Sequence, residues 1–328
     1  MADVIATSFA TPNYSGLLFA KGRVDTPFST MIGGKRKLTD HVEFSIGVEY
    51  AVGEGEIPNY SENDTLVAPD ASIATRGQKS NVTQIFMDSF AVGDVKTSNM
   101  GTLAGINVAN QQANPHNEMD FQAGIAMQRI AKSIEKTFIQ GSYNKATSDA
   151  EVNKTRGIVN AIETNVMDLE GKAISIWDVA DMLVLIKEQG GSTDGLVLWC
   201  DSVTKFQFSV EAAEQNFRVY PDSRNVNGLN ITRIETPAGN VDLCEGVYLP
   251  VGTALLLNFS VIAPVEQLVP GKGNFYLQEM AKTGFSTKYS ILGQVGLDHG
   301  PEWCHGKFTN IKTSYERPNG ILVKQVTA

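Results

Sequence analysis

Metal ligands and nucleophiles are scarce in this chain. Its 328 residues include four histidines and three cysteines. Cys200, Cys244 and Cys304 are too scattered for a CxxC pair or a disulfide framework, so reduced, cytosolic folding is expected. No GxxxxGKS/T loop, GxGxxG followed by an acidic residue, GxSxG, HExxH or EF-hand loop occurs, which argues against the chemistries those motifs carry. Basic charge is short as well. A net charge of −9 and a pI near 5.0 argue against a body that grips nucleic acid by its phosphates.

Long apolar runs are also missing. The longest uncharged stretch, VYLPVGTALLLNFSVIAPV at 247–265, is interrupted by Pro250, Gly252, Asn258 and Pro264. It reads as two buried strands joined near Pro250 to Gly252, and no membrane contact is expected. The opening MADVIATSFATPNYSG has no basic region followed by an apolar core, so no secretory signal is expected. Internal repeats and low-complexity tracts are absent too.

What is present is the composition of an ordinary folded protein, 42% hydrophobic and long enough for two cores. Residues 1–40 show no sustained periodicity and are rich in Gly, Ser, Thr and Pro, which predicts an extended arm outside any core. Within it Lys35, Arg36 and Lys37 form either a solvated basic turn or a contact for an acidic neighbour or nucleic acid. HVEFSIGVEY (41–50) and SNVTQIFMDSFAV (80–92) alternate like half-buried strands. The polar, turn-rich segment between them cannot build a core, so the pair should form a long projecting hairpin. At about 23 residues per arm and about 3.3 Å each, its reach is at most about 75 Å.

A long helix is expected over 116–141, with Asn117 as N-cap, Gly141 as stop and an apolar stripe of Phe121, Ile125, Met127, Ile130, Ile134 and Phe138. A second helix, SIWDVADMLVLIKEQGG, has Ser175 and Asp178 as a capping box and Gly190 and Gly191 as its stop. The strand GLVLWC (195–200), a short helix over 202–215 and the apolar strands of 247–263 complete an α/β unit. FYLQEMAKTGFSTKYSILGQVGL and KFTNIKTSYE then read as antiparallel strands.

One stretch looks chemical. LDHGPEWCHG (297–306) gathers Asp298, His299, Glu302, Cys304 and His305. Adjacent Cys304 and His305 point to opposite faces if extended, and no second CxxC or HxxxH pair completes a metal shell. A Cys/His nucleophile would need an orienting partner that the sequence does not reveal. The stretch is therefore read as a turn leading into a strand, with Trp303 packed beneath it. No catalytic residue, metal ligand or cofactor is assigned, and the chain is not read as an enzyme.

The order of parts, together with SNVTQIFMDSFAVGD, TRGIVNAI (155–162), WDVADMLVLIKEQGG and MAKTGFSTKYSILGQVGLDHG, resembles the major capsid proteins of tailed bacteriophages, specifically their SU10-like branch. The resemblance implies an α+β chain with the Hong Kong 97-type fold. Its parts would be an N-terminal arm (1–40), an E-loop hairpin (41–100), a peripheral domain in two pieces (101–164, with the spine helix 116–141, and 268–328) and an axial domain (165–267). It further implies self-assembly as hexamers and pentamers into an icosahedral head around double-stranded DNA. Production would be in the host bacterial cytoplasm and residence in the virion. Scaffolding, decoration and portal proteins, where used, would be separate chains. The isopeptide chemistry of the type member is not carried over to Lys79, Lys96 or any Asn. An arm and hairpin that cannot fold alone fit this reading, since obligate contacts typically bury upwards of about 2,000 Å². Any DNA contact would be weak and local, for instance at Lys35 to Lys37. Two rivals remain at this point: an encapsulin-like compartment shell, and a metal-dependent or Cys/His hydrolase built on residues 298–305.

The sequence makes two predictions here. Elemental analysis of purified protein should find no stoichiometric zinc on His299 and His305. Trp303→Ala should cost about 3 to 5 kcal/mol in a denaturant titration if that side chain is fully buried.

Overall fold

The computed structural model describes residues 5–6, 25–53, 55, 57–66, 73–94, 118–214, 220–226, 229–282, 284–316 and 322–324. In chain order the elements are β1 (Ile5–Ala6), α1 (Pro27–Ile32), β2 (Lys37–Thr39), β3 (Glu43–Tyr50), β4 (Arg76–Val82), β5 (Gln84–Gly93) and α2 (Glu118–Gln140). There follow α3 (Ile158–Ala161), β6 (Val166–Asp168), α4 (Ile176–Glu188), β7 (Leu196–Cys200), α5 (Ser202–Glu214), β8 (Tyr220–Val226), β9 (Leu229–Thr236) and β10 (Gly239–Glu245). The last are β11 (Ala254–Asn258), β12 (Ala263–Gln267), β13 (Tyr276–Glu279), β14 (Ser286–Asp298), β15 (Gly306–Thr309), β16 (Ser314–Glu316) and β17 (Leu322–Lys324).

Two sheets organise these pieces. A six-stranded sheet runs β1-β5-β14-β12-β2, with β13 also on β14, and a seven-stranded sheet runs β6-β15-β11-β7-β10-β9-β8. The unbroken apolar run of β7 follows from its position inside the second sheet. Val197 and Trp199 enter one core, while Leu196, Leu198 and Cys200 enter another on the opposite face. The first core lies between the six-stranded sheet, α2 and this face of the seven-stranded sheet. The second is sealed by α4 and by Phe208 of α5. Helix α4 starts as its sequence demands: Ser175 Oγ accepts from the Trp177 N–H, and Asp178 accepts from the Ser175 N–H at 2.8 Å.

Helix α2 runs 23 residues, about 34 Å at about 1.5 Å each. Its buried positions are Ala126, Ile130, Glu135, Phe138 and Ile139, whereas Met127 of the expected stripe is exposed. The stripe shifts because two neighbours cover the helix from different sides. Sheet residues Phe86 and Phe90 share a core with Ala126 and Ile130, and α1 covers Glu135. Asn117, the expected N-cap, lies outside the described residues. Gly141 does end the helix, and it has to be glycine: a Cβ there would sit 2.5 Å from the carbonyl oxygens of Thr137 and Thr155. The chain returns so closely that Gly157 donates its N–H to Gly141 at 2.8 Å.

Four expectations are corrected. Residues 25–39 are not an arm outside the core: Phe28 and Ile32 of α1 are buried in the first core, and β2 pairs in parallel with β12. One six-residue helix is too short to show a period, which is why it was not legible. Second, β3 pairs with β4, which takes in only residues 80–82 of the 80–92 stretch; the rest of that stretch, β5, pairs instead with β14 over ten residues. Third, the strands of 247–265 are β11 and β12, joined by 259–262, and they belong to different sheets. The sheets therefore cut across the expected segments, since β12 joins the first sheet and β15, from 268–328, joins the second. Finally, Trp303 is only half-buried, and the fully buried tryptophan is Trp199.

Phe28 packs edge-on to Trp199 at 5.8 Å and tilted against Phe259 at 5.5 Å. Phe28→Ala should therefore cost about 3 to 5 kcal/mol. Parallel denaturant titrations should place it well below Trp303→Ala in stability.

Candidate functional site

A polar loop with aliphatic residues and no basic charge joins β3 to β4. From residue 51 to 75 the sequence has five acidic residues, Glu54, Glu56, Glu62, Asp64 and Asp70, and no Lys or Arg. Its described aliphatics are bare: Ile57 is 93% exposed, Ile73 86% and Leu66 81%. Large apolar groups on a loop with no core of its own mark a surface completed by another molecule.

The root of this hairpin is firmly held. Phe44 and Ile46 of β3 bury against Val265 of β12. Gly296 of β14 makes room for the Phe44 ring, because a Cβ there would lie 2.5 Å from it. Asn81 is wholly buried and uses both ends of its amide. Its Nδ2 donates to Leu297 O at 2.7 Å and to Arg156 O at 3.2 Å, and its Oδ1 accepts from Arg156 N at 2.8 Å and Val82 N at 2.9 Å. Thr83 donates its N–H to Val42 O and its hydroxyl to Gln267. A register shift between Ile46 and Val48 then marks where the buried root gives way to exposed strand.

Beneath the root lies the stretch that looked chemical in the sequence. His305 is fully buried. Its Nδ1 accepts from the Asn258 N–H at 3.1 Å, so Nε2 carries the proton and donates to His299 O at 2.8 Å. Burial pushes its pKa down to about 4. His299 has Nδ1 on Gly300 O at 2.7 Å and is likewise lowered, chiefly by burial; its Nε2 has no partner. Glu302 accepts from the N–H groups of Glu163 and Thr164 and from the Thr164 hydroxyl, with Lys79 at 3.8 Å. Burial alone would raise its carboxyl, but these donors outweigh it and hold the group below the usual range. Burial raises the Cys304 thiol, the opposite of what a nucleophile needs.

These groups are brought together but not aimed at one point. Among the described residues no three His, Cys, Asp or Glu side chains could hold a metal ion. Both His305 nitrogens are spent on backbone, so the ring ties β11 to the 299–305 turn. The arrangement is a fastening.

The basic triplet has the same character. Lys35 donates to Phe259 O at 2.6 Å, Arg36 lies 3.5 Å from Glu266, and Lys37 pairs with Asp298 at 2.5 Å. Its charges hold the α1–β2 segment to the protein's own body, the acidic neighbours being Glu266 and Asp298 of the same chain. Lys79 is paired as above, and Lys96 lies outside the described residues. Sequence reasoning missed Asn81 and Glu135. A lone Asn inside a strand carries no signal, but an acid flanked by Ile134, Phe138 and Ile139 on a helix does.

Stability should fall as pH drops from about 6.5 to about 4, because the unfolded chain takes up a proton that buried His305 refuses. The loss should be on the order of 3 kcal/mol across that window. Urea midpoints against pH should show a shallower acid slope for His305→Gln than for the unaltered protein; equal slopes would rule this out.

The family model described as SU10 major capsid protein matches residues 3–312. No curated protein matches the chain significantly. Among solved structures it is similar to the capsid asymmetric unit of cyanophage A-1(L), at 12% identity and TM-score 0.64, covering 94% of this chain and 98% of that one. It is also similar to a structure from Mycobacterium phage Che8, at 12% identity and TM-score 0.53, covering 92% and 98%. A third likeness is to the holo-SrpI encapsulin complex of Synechococcus elongatus PCC 7942, at 11% identity and TM-score 0.57, covering 84% of each chain. At such identities the likeness is one of fold.

Proposed function

The chain belongs to the SU10 major capsid protein family, and from that premise we propose how its parts build a shell. It is a tailed-phage major capsid protein with the Hong Kong 97-type fold, self-assembling into the capsid of the virion. In our reading its copies form hexamers and pentamers of an icosahedral head around double-stranded DNA, with scaffolding and portal supplied by other chains. The β3–β4 hairpin with its loop is the E-loop, α2 is the spine helix of the peripheral part, and the seven-stranded sheet with α4 and α5 forms the axial part.

The observation that carries this reading is the bare aliphatic loop on a fixed root. A complementary surface exists on the same chain. On the face of the six-stranded sheet away from α2, Ile85 and Met87 of β5 are exposed, and Met87 aligns through Leu292 with Tyr276 of β13. Lys288 is exposed on this face, and Lys272 lies over the Tyr276 ring at 4.9 Å. An apolar strip with basic neighbours suits an aliphatic loop carrying only acids, so each copy would lend its loop to the next. Contacts repeated around a closed lattice make even modest affinities sufficient. The compartment-shell alternative rests on likeness of fold alone, at 11% identity.

Negative-stain microscopy of the purified protein should show closed shells or hexameric and pentameric rings. A monodisperse monomer at high concentration would overturn the reading. Ile57→Asp with Leu66→Asp should abolish assembly yet leave monomer unfolding within about 0.5 kcal/mol, because both sites are exposed.

A further inference from the structure

Helix α2 keeps one polar face open, its edge tied to the sheet where Arg129 pairs with Asp88 of β5. At about 100° per residue, Arg129, Lys132 and Lys136 fall within a wedge of about 60° along about 10 Å of its C-terminal half. Ser133 and Gln140 flank this wedge on one side, and buried Ile139 lies about 20° beyond Lys132 on the other. The sole acid in this half, Glu135, points elsewhere: it is buried and accepts from the Phe28 and Ser29 N–H groups at 2.7 and 2.8 Å. Arg129 is paired with Asp88 at 2.6 Å, whereas Lys132 and Lys136 have no ion pair among the described residues. Two free ammonium groups on an otherwise polar helix face stand out in a chain with a net charge of −9.

We propose that this face of α2, with Lys132 and Lys136 as its phosphate contacts, is where the shell touches packaged duplex DNA. The inference rests on the capsid reading above. Lys, Arg, Ser and Gln are the side chains that contact phosphate and sugar without reading sequence. A duplex presents one negative charge per roughly 1.7 Å of axis, so a stripe of about 10 Å meets several phosphates in any register. Two contacts per copy are weak alone and numerous in a shell, which suits a container that must also release its contents. The sequence's own candidate, Lys35 to Lys37, is committed to Phe259, Glu266 and Asp298. An acidic loop from another copy is the poorer occupant. That loop brings Ile57 and Leu66, which this polar wedge cannot cover, and the opposite face of the layer can.

The test uses unassembled full-length subunits and a fluorescent 20-base-pair duplex, with binding followed by anisotropy between about 50 and 200 mM salt. Each neutralised phosphate contributes about −0.9 to the slope of log affinity against log salt. Lys132→Gln with Lys136→Gln should therefore flatten the slope by about 2, removing about a tenfold change in affinity across that range. Lys187→Gln, on the exposed last turn of α4, should leave the slope unaltered. Equal slopes for the unaltered protein and the double variant would overturn the proposal. So would an equal loss in Lys187→Gln, or binding of polyglutamate in place of the duplex, which would indicate an acidic protein partner. Microscopy of the same proteins, taken to assembly conditions, separates the two readings. Absence of shells from the unaltered protein would count against the capsid proposal, whereas shells with unaltered slopes count only against the DNA contact.

Discussion

Phe28 sets its ring against Trp199 and Phe259 while its own N–H is spent on the Glu135 carboxylate. One residue of a short helix thus touches the seven-stranded sheet, the turn that leaves it, and the long helix α2. The Glu135 carboxyl is raised by burial and pulled back by the Ser29 hydroxyl and the N–H groups of Ser29 and Phe28. A carboxylate placed there needs those donors, since burying an unsatisfied charge costs several kcal/mol. So α1 cannot leave without exposing an aromatic pocket and stranding an acid. The two sheets and helix α2 depend on that coupling to act as one body.

A rigid body is what makes the exposed hairpin useful. A loop with bare aliphatics pays entropy when it docks, and that cost is smaller if its root is already fixed. Here the root is fixed by packing and by directional bonds together: Phe44 lies over Gly296, and Asn81 fills four hydrogen-bonding positions at once. Order is thereby concentrated at the base of the hairpin.

The buried polar stretch around His305 serves the same end. Its imidazole joins β11 to the turn after β14, Glu302 caps the backbone at residues 163–164, and Lys37 closes on Asp298. Each buried polar group there but His299 Nε2 finds a partner, and satisfied networks of this kind specify one arrangement of strands over its near neighbours. Residues that resemble an active site when read in a line are distributed, in space, among backbone groups of three different strands and turns.

The sequence by itself determined the local elements. The Ser175–Asp178 box and the period of α2 place two helices, and the unbroken LVLWC places a strand buried on both faces. The run of parts, with four stretches of familiar sequence, was enough to identify the capsid family. Pairings across long separations were decided only by tertiary structure. Whether β3 meets β4 or β5 depends on where the strand breaks at Thr83, and the burial of Phe28 depends on Trp199 some 170 residues away. The fates of Asn81, Glu135 and the Lys35 to Lys37 triplet were settled by partners that lie between 75 and 261 residues distant. Periodicity reports which face of a segment is apolar, but it is silent on which distant segment will cover it, and charge in a sequence does not say whether its counter-charge is solvent, DNA or the chain itself.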